Sequence, residues 1–138
     1  MAKKPQGRKS SYTDALARVI LDRLAGGESL RAICRDPKIA VSEATVRAWS
    51  RGLNGSCETF PAQYAQARDD GHRVWFDEMI EIADEAGALE SGHQVQAARL
   101  QVDTRKWALS KMLPREFGDR IDVNQSGDVS IRVVTGIA

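Results

Sequence analysis

A mainly α-helical fold with a short β-forming end is predicted by three features of the chain. Apolar residues recur at helical spacing between Leu16 and Leu24. Two longer stretches, about residues 61–86 and 93–113, carry the same periodicity. Alternation of β-branched residues shows only near the end, in Asp128-Val129-Ser130-Ile131-Arg132-Val133-Val134. The 138 residues, 42% of them hydrophobic, suit one compact domain or two small ones. A chain this short buries a modest share of its surface, so association of copies is a further source of stability.

Residues 1–11 are basic and interrupted by Pro5 and Gly7, and read as a flexible arm. A first helix is expected to start at the cap Thr13, with Asp14 in its first turn, and to stop at Gly26-Gly27. Ser29 opens a second, short helix with Leu30, Ile33 and Cys34 on its apolar face, ended by Pro37. Ser42 caps a third, which carries Val46 and Trp49 inward, and Gly52, Asn54 and Gly55 close it. Residues 12–52 thus form a head, and residues 52–59 read as a polar linker. The helix from about Pro61 to Ala86 would be about 39 Å long at 1.5 Å per residue. Gly71 weakens its middle by about 1 kcal/mol relative to Ala. A loop through Gly87 and Gly92 leads to a second long helix ending at Leu113, before Pro114. Two long helices and a short loop make residues 60–113 an antiparallel hairpin. Residues 114–138 form a β-forming tail whose one strand must pair with another, such as the same strand of a second copy.

The net charge of +1 conceals an asymmetry, +6 over residues 1–55 and −5 over residues 56–138. A basic head on an acidic body suggests a polyanion-binding unit carried by a part with another task. Short helix, turn and capped helix with buried Val46 and Trp49 is the pattern of a helix-turn-helix. In that motif the second helix lies in the major groove of DNA. Packing claims Val46 and Trp49, which leaves Ser42, Glu43, Thr45, Arg47 and Arg51 outward. Arg reads guanine, Ser and Thr bond bases or phosphates, and Glu accepts from cytosine. Arg31, Arg35 and Lys38 flank the turn and are placed to hold phosphates. Lys3, Lys4, Arg8 and Lys9 of the arm extend the same surface toward phosphates or a minor groove.

The hairpin has more apolar surface than one antiparallel pair can cover. Trp75, Met79, Ile82 and Ala86 form one stripe, with Phe76, Ile80 and Ala83 beside it. On the second long helix Val95, Ala98, Val102, Leu109 and Met112 form a stripe, and Leu100 and Trp107 another. One stripe seals the hairpin and the rest call for another chain. Trp75, Phe76, Met79, Ile82, Leu100, Val102 and Trp107 are therefore the expected contacts between copies.

Other function classes find little support. Asp77, Glu78, Glu81, Asp84 and Glu85 outline the polar side of an amphipathic helix rather than a Mg²⁺ site for a nuclease. There is no GxxxxGK[ST] loop for a nucleotide and no Ser or Cys nucleophile with a nearby base. Cys34, Cys57, His72 and His93 lack metal-ligand spacing, so no metal or cofactor is expected. No apolar run approaches the ~20 residues of a membrane helix, and two unpaired cysteines fit a reducing, cytosolic setting.

Three segments carry a family resemblance: residues 98–120, ARLQVDTRKWALSKMLPREFGDR; residues 27–49, from Gly27-Glu28-Ser29-Leu30 to Trp49; and residues 76–84, from Phe76 to Ile82-Ala83-Asp84. In these the chain resembles the small terminase subunits of tailed double-stranded DNA phages, in particular the short-tailed type with a helix-turn-helix head. The resemblance implies a ring of copies built on the hairpin, with DNA-binding heads around the rim and carboxy-terminal strands gathered into a barrel. It implies recognition of the packaging site on viral DNA and its delivery to a large terminase subunit, which supplies ATPase and nuclease, in the cytoplasm of a bacterial host. The small subunit would then regulate without catalysing. Glu43 and Ala44 depart from the more basic recognition helix such a role suggests. An oligomeric helix-turn-helix transcriptional regulator of a phage or mobile element would use the same parts, but with two half-sites about one helical turn apart.

Overall fold

The computed structural model describes residues 10–119 and residue 136, and these form a mainly helical structure. The elements are α1 (Asp14–Ala25), α2 (Leu30–Arg35), α3 (Glu43–Trp49), α4 (Phe60–Glu85), a 3-10 turn (Ala86–Ala88), α5 (Gly92–Met112) and α6 (Pro114–Phe117). No strand occurs among the described residues, and the expected β segment at 128–134 lies outside them.

The starts of the short helices follow from their caps. The side chains of Thr13, Ser29 and Ser42 each accept a hydrogen bond from the backbone N–H three residues on, all at 3.2 Å. Gly27 ends α1 with φ of 91°, a left-handed conformation that costs glycine nothing. Arg23 ties this corner together. Its guanidinium bonds Glu28 at 2.6 and 2.9 Å and Asp36 at 2.7 Å, and these contacts raise its pKa above the ordinary arginine value. Both carboxyls sit below the usual range, Glu28 chiefly through Arg23, and Asp36 chiefly through the Lys38 backbone N–H and then Arg23.

One core serves α1, α2, α3 and the start of α4. Ile20, Ile33, Val46, Trp49 and Phe60 are fully buried in it. Tyr12, Trp49 and Phe60 meet edge-to-face, with ring centroids 5.0 to 6.0 Å apart. Tyr64 and Ala67 of α4 join the same cluster. The linker expected at 52–59 therefore does not separate two cores. It is a run of tight turns, with Gly52, Asn54 and Gly55 at positive φ and the Leu53 N–H returning to the Ala48 carbonyl. Phe60 completes the head, which is why α4 starts where it does.

α4 then crosses α1 at very close range. A Cβ on Gly71 would stand 2.2 Å from the Leu24 carbonyl oxygen, so no other residue fits without backbone movement. One turn on, Trp75 donates its indole N–H to the Gly27 carbonyl at 2.9 Å. Between them His72 is buried against the Trp75 ring, centroids 5.0 Å apart, with no partner for Nδ1.

Burial, and then the charge of Arg68, pull the His72 pKa below the ordinary imidazole value, with Asp69 opposing. The unfolded chain therefore binds this proton more readily than the folded one, and stability falls as pH drops through the ordinary imidazole range. Melting temperature is expected to decline from about pH 7 to about pH 5, and the decline should be shallower in His72→Phe. Equal slopes for the two proteins would show that the charge of His72 costs the fold nothing.

The second half is an antiparallel pair, α4 against α5. Arg105 of α5 bonds Glu78 of α4 at 3.0 and 3.1 Å. Arg73, earlier on α4, reaches Glu116 of α6 at 2.6 and 3.2 Å, and Phe76 stacks on Phe117 at 5.2 Å. The interior of this half is thin. Ala98, Leu109 and Leu113 are buried, while Met79, Ile82 and Val102 are half-buried and Val95 and Met112 are exposed. The stripe expected to seal the hairpin thus seals it only in part.

Candidate nucleic-acid interface

α3 is oriented by its inward residues. Val46 and Trp49 lie at 0% exposure, so Trp49 is a core ring and not a base-stacking platform. The opposite face carries exposed Ser42, Ala44 and Arg47, with Arg51 exposed just beyond the helix and Thr45 half-buried. Ser42 and Thr45 share a hydroxyl–hydroxyl hydrogen bond at 3.0 Å. Arg31, Arg35 and Lys38 are exposed on and after α2. Of the sequence-predicted residues the structure brings Arg31 and Arg47 together, around a group that sequence reasoning read only as a possible base contact. Glu43 takes Arg31 Nε at 3.2 Å on one carboxylate oxygen and Arg47 Nη2 at 3.0 Å on the other. The i,i+4 spacing of Glu43 and Arg47 was a usable signal for one bond. No local signal pointed to the other, made across the turn.

Beside α3 opens a cleft of about 680 Å³, lined by Ser10, Ser11, Ala40, Val41, Ser42, Thr45, Asn54 and Gly55. Ser10 Oγ donates to the Asn54 carbonyl at 2.5 Å and accepts from the Tyr12 N–H at 3.2 Å. The chain therefore reaches the head next to the first turn of α3. Lys3, Lys4, Arg8 and Lys9 lie outside the described residues.

The candidate contacts between copies divide. Among the described residues Leu100 and Trp107 are the most exposed large apolar side chains, at 67% and 66%, and Phe76 is also exposed. Trp75 is half-buried with its polar end engaged by the head. Among the described residues no group of three His, Cys, Asp or Glu side chains is placed to hold a metal ion, and no helix is long and apolar enough to cross a membrane.

A family model described as "Bacteriophage Sf6, terminase small subunit-like" matches residues 12–124. The chain belongs to this terminase small subunit family. Crystal structures of three single-substitution variants of the terminase small subunit gp1 of the bacterial virus Sf6 share the fold, each with a TM-score of 0.73. Identity is 33% for two and 34% for the third, and each match covers 92% of this chain and 97% of that one. No curated protein sequence matches. Membership extends over both the head and the hairpin of this small subunit, since the matched span includes α1 through α6.

Proposed function

We propose that this chain recognises viral packaging-site DNA as a ring-shaped homo-oligomer and delivers it to a large terminase subunit, which supplies ATPase and nuclease. α2, the turn and α3 act as a helix-turn-helix on double-stranded DNA, residues 60–113 hold the ring together, and the chain has no catalytic site of its own. The observation that carries the reading is the division of α3. Val46 and Trp49 are wholly inward, and Ser42 and Arg47 stand outward beside Arg31, on the basic part of a chain of terminase small subunit type. A head with few basic side chains binds DNA weakly, and a ring multiplies such contacts through effective concentration.

Arg31→Ala and Arg47→Ala are each expected to weaken binding to duplex DNA by roughly 5- to 10-fold at low salt. Each should also reduce the slope of log affinity against log salt by about 1. Oligomer mass should not change, because α5 packs against α4 and α6 and not against α2 or α3. Fluorescence anisotropy across a salt series, with light scattering alongside, makes the measurement. Parental affinity in both variants would move the DNA surface away from α2 and α3.

A further inference from the structure

We infer that Glu43 sets the DNA specificity of this head, by bridging Arg31 and Arg47 and by opposing contacts made to phosphate alone. The inference rests on the reading of α2 and α3 as the DNA-binding face. Glu43 is the first residue of α3, and its side chain is only 24% exposed, whereas those of Arg31 and Arg47 are 69% and 59% exposed. The carboxylate is thus inboard and the two guanidiniums outboard, one from each helix.

Two consequences follow from this arrangement. The first is geometric. One carboxylate oxygen holds each arginine, so the two guanidiniums are kept at a fixed separation across the turn. Arg31 spends only Nε on the carboxylate and keeps both terminal amino groups for a planar, two-point contact. The second is electrostatic. The trio carries a net charge of one rather than two, and its negative member lies just behind the surface that DNA would approach. A phosphate meets the repulsion of that carboxylate wherever the head lands. A guanine edge offers neutral acceptors and meets far less, so the right sequence loses less of its attraction than the wrong one. Exposed ion pairs of this kind contribute little to folding, so the bridge has small structural value to explain it.

The test compares Glu43→Gln and Glu43→Asp with the parent, all in the full chain. The probe is a mixed-sequence duplex about three helical turns long. Glu43→Gln is expected to bind it roughly 2- to 5-fold more tightly, with a salt slope steeper by up to about 1. In selection from a random duplex library it should enrich a weaker motif than the parent does. Glu43→Asp keeps a negative charge at the start of α3 and should bind the mixed duplex as the parent does. A merely structural carboxylate predicts the reverse for Glu43→Gln: a lower melting temperature and weaker binding. The inference is overturned if Glu43→Gln binds no more tightly and enriches the same motif equally, or if Glu43→Asp binds as tightly as Glu43→Gln. Joint replacement of Arg31 and Arg47 by Ala separates the two levels. If that variant binds DNA like the parent, the DNA-binding reading of this face fails. If it binds weakly while Glu43→Gln is unchanged, only the role of Glu43 falls.

Discussion

Replacing Leu100 and Trp107 together by glutamate is expected to reduce the proposed ring to monomers or small oligomers. The two residues are seven apart on α5, two turns along one face, and remain about two-thirds exposed in the isolated chain. Phe76, Ile80, Val95 and Met112 add to the uncovered apolar surface of the hairpin. Surface of this kind is a liability in a monomer and a resource in an interface. A glutamate buried there without a partner costs several kcal/mol, and in a closed ring the cost recurs at every contact. Neither residue belongs to the buried cluster of the head, so the head should keep its near-ultraviolet signature. DNA affinity should fall through lost multivalency, with the contacts of each head intact. Light scattering decides the matter. A variant of unchanged mass would place the interface between copies away from this face of α5.

Gly71→Ala is expected to destabilise the protein by about 2–3 kcal/mol, lowering the melting temperature by roughly 10 °C. The sign is the informative part. In an ordinary helix interior the same change is worth up to about 1 kcal/mol of added stability. Here the new methyl would overlap a backbone oxygen of α1, which cannot swing aside as a flexible side chain would. Gly92→Ala is the natural control, because a Cβ there meets nothing within 4 Å. Its melting temperature should match or slightly exceed the parent's. A Gly71→Ala protein as stable as this control would show that α1 and α4 can separate at no cost.

The helices were legible in the sequence because their signals are local. Thr13, Ser29 and Ser42 cap as expected, and Gly26-Gly27 stops α1. The two long helices, expected over Pro61 to Ala86 and His93 to Leu113, occupy Phe60–Glu85 and Gly92–Met112. What escaped was contact between residues distant in the chain. Phe60, expected as the first residue of the hairpin, fills the head core beside Trp49. Gly71 read as a weak point of a helix, yet is the one residue small enough for the crossing with α1. Periodicity alone places Trp75 on a hydrophobic stripe. Its bond to Gly27 spans 48 residues, and no local pattern encodes it. In the candidate interface the outward residues of α3 followed from Val46 and Trp49 being inward. The bridge from Arg31 through Glu43 to Arg47 did not, because the turn that sets α2 against α3 decides it.

The continuity of α4 has a mechanical meaning. The helix begins in the core that it shares with α3 and ends at the hairpin loop, a strut about 39 Å long by its rise per residue. A tethered head would swivel freely and meet a ligand at any angle. A head built onto a strut has one heading, fixed by the tilt of α4 in its own hairpin. Tension on a molecule held by α3 would therefore not be absorbed by slack in the chain. It would reach α5 as torque.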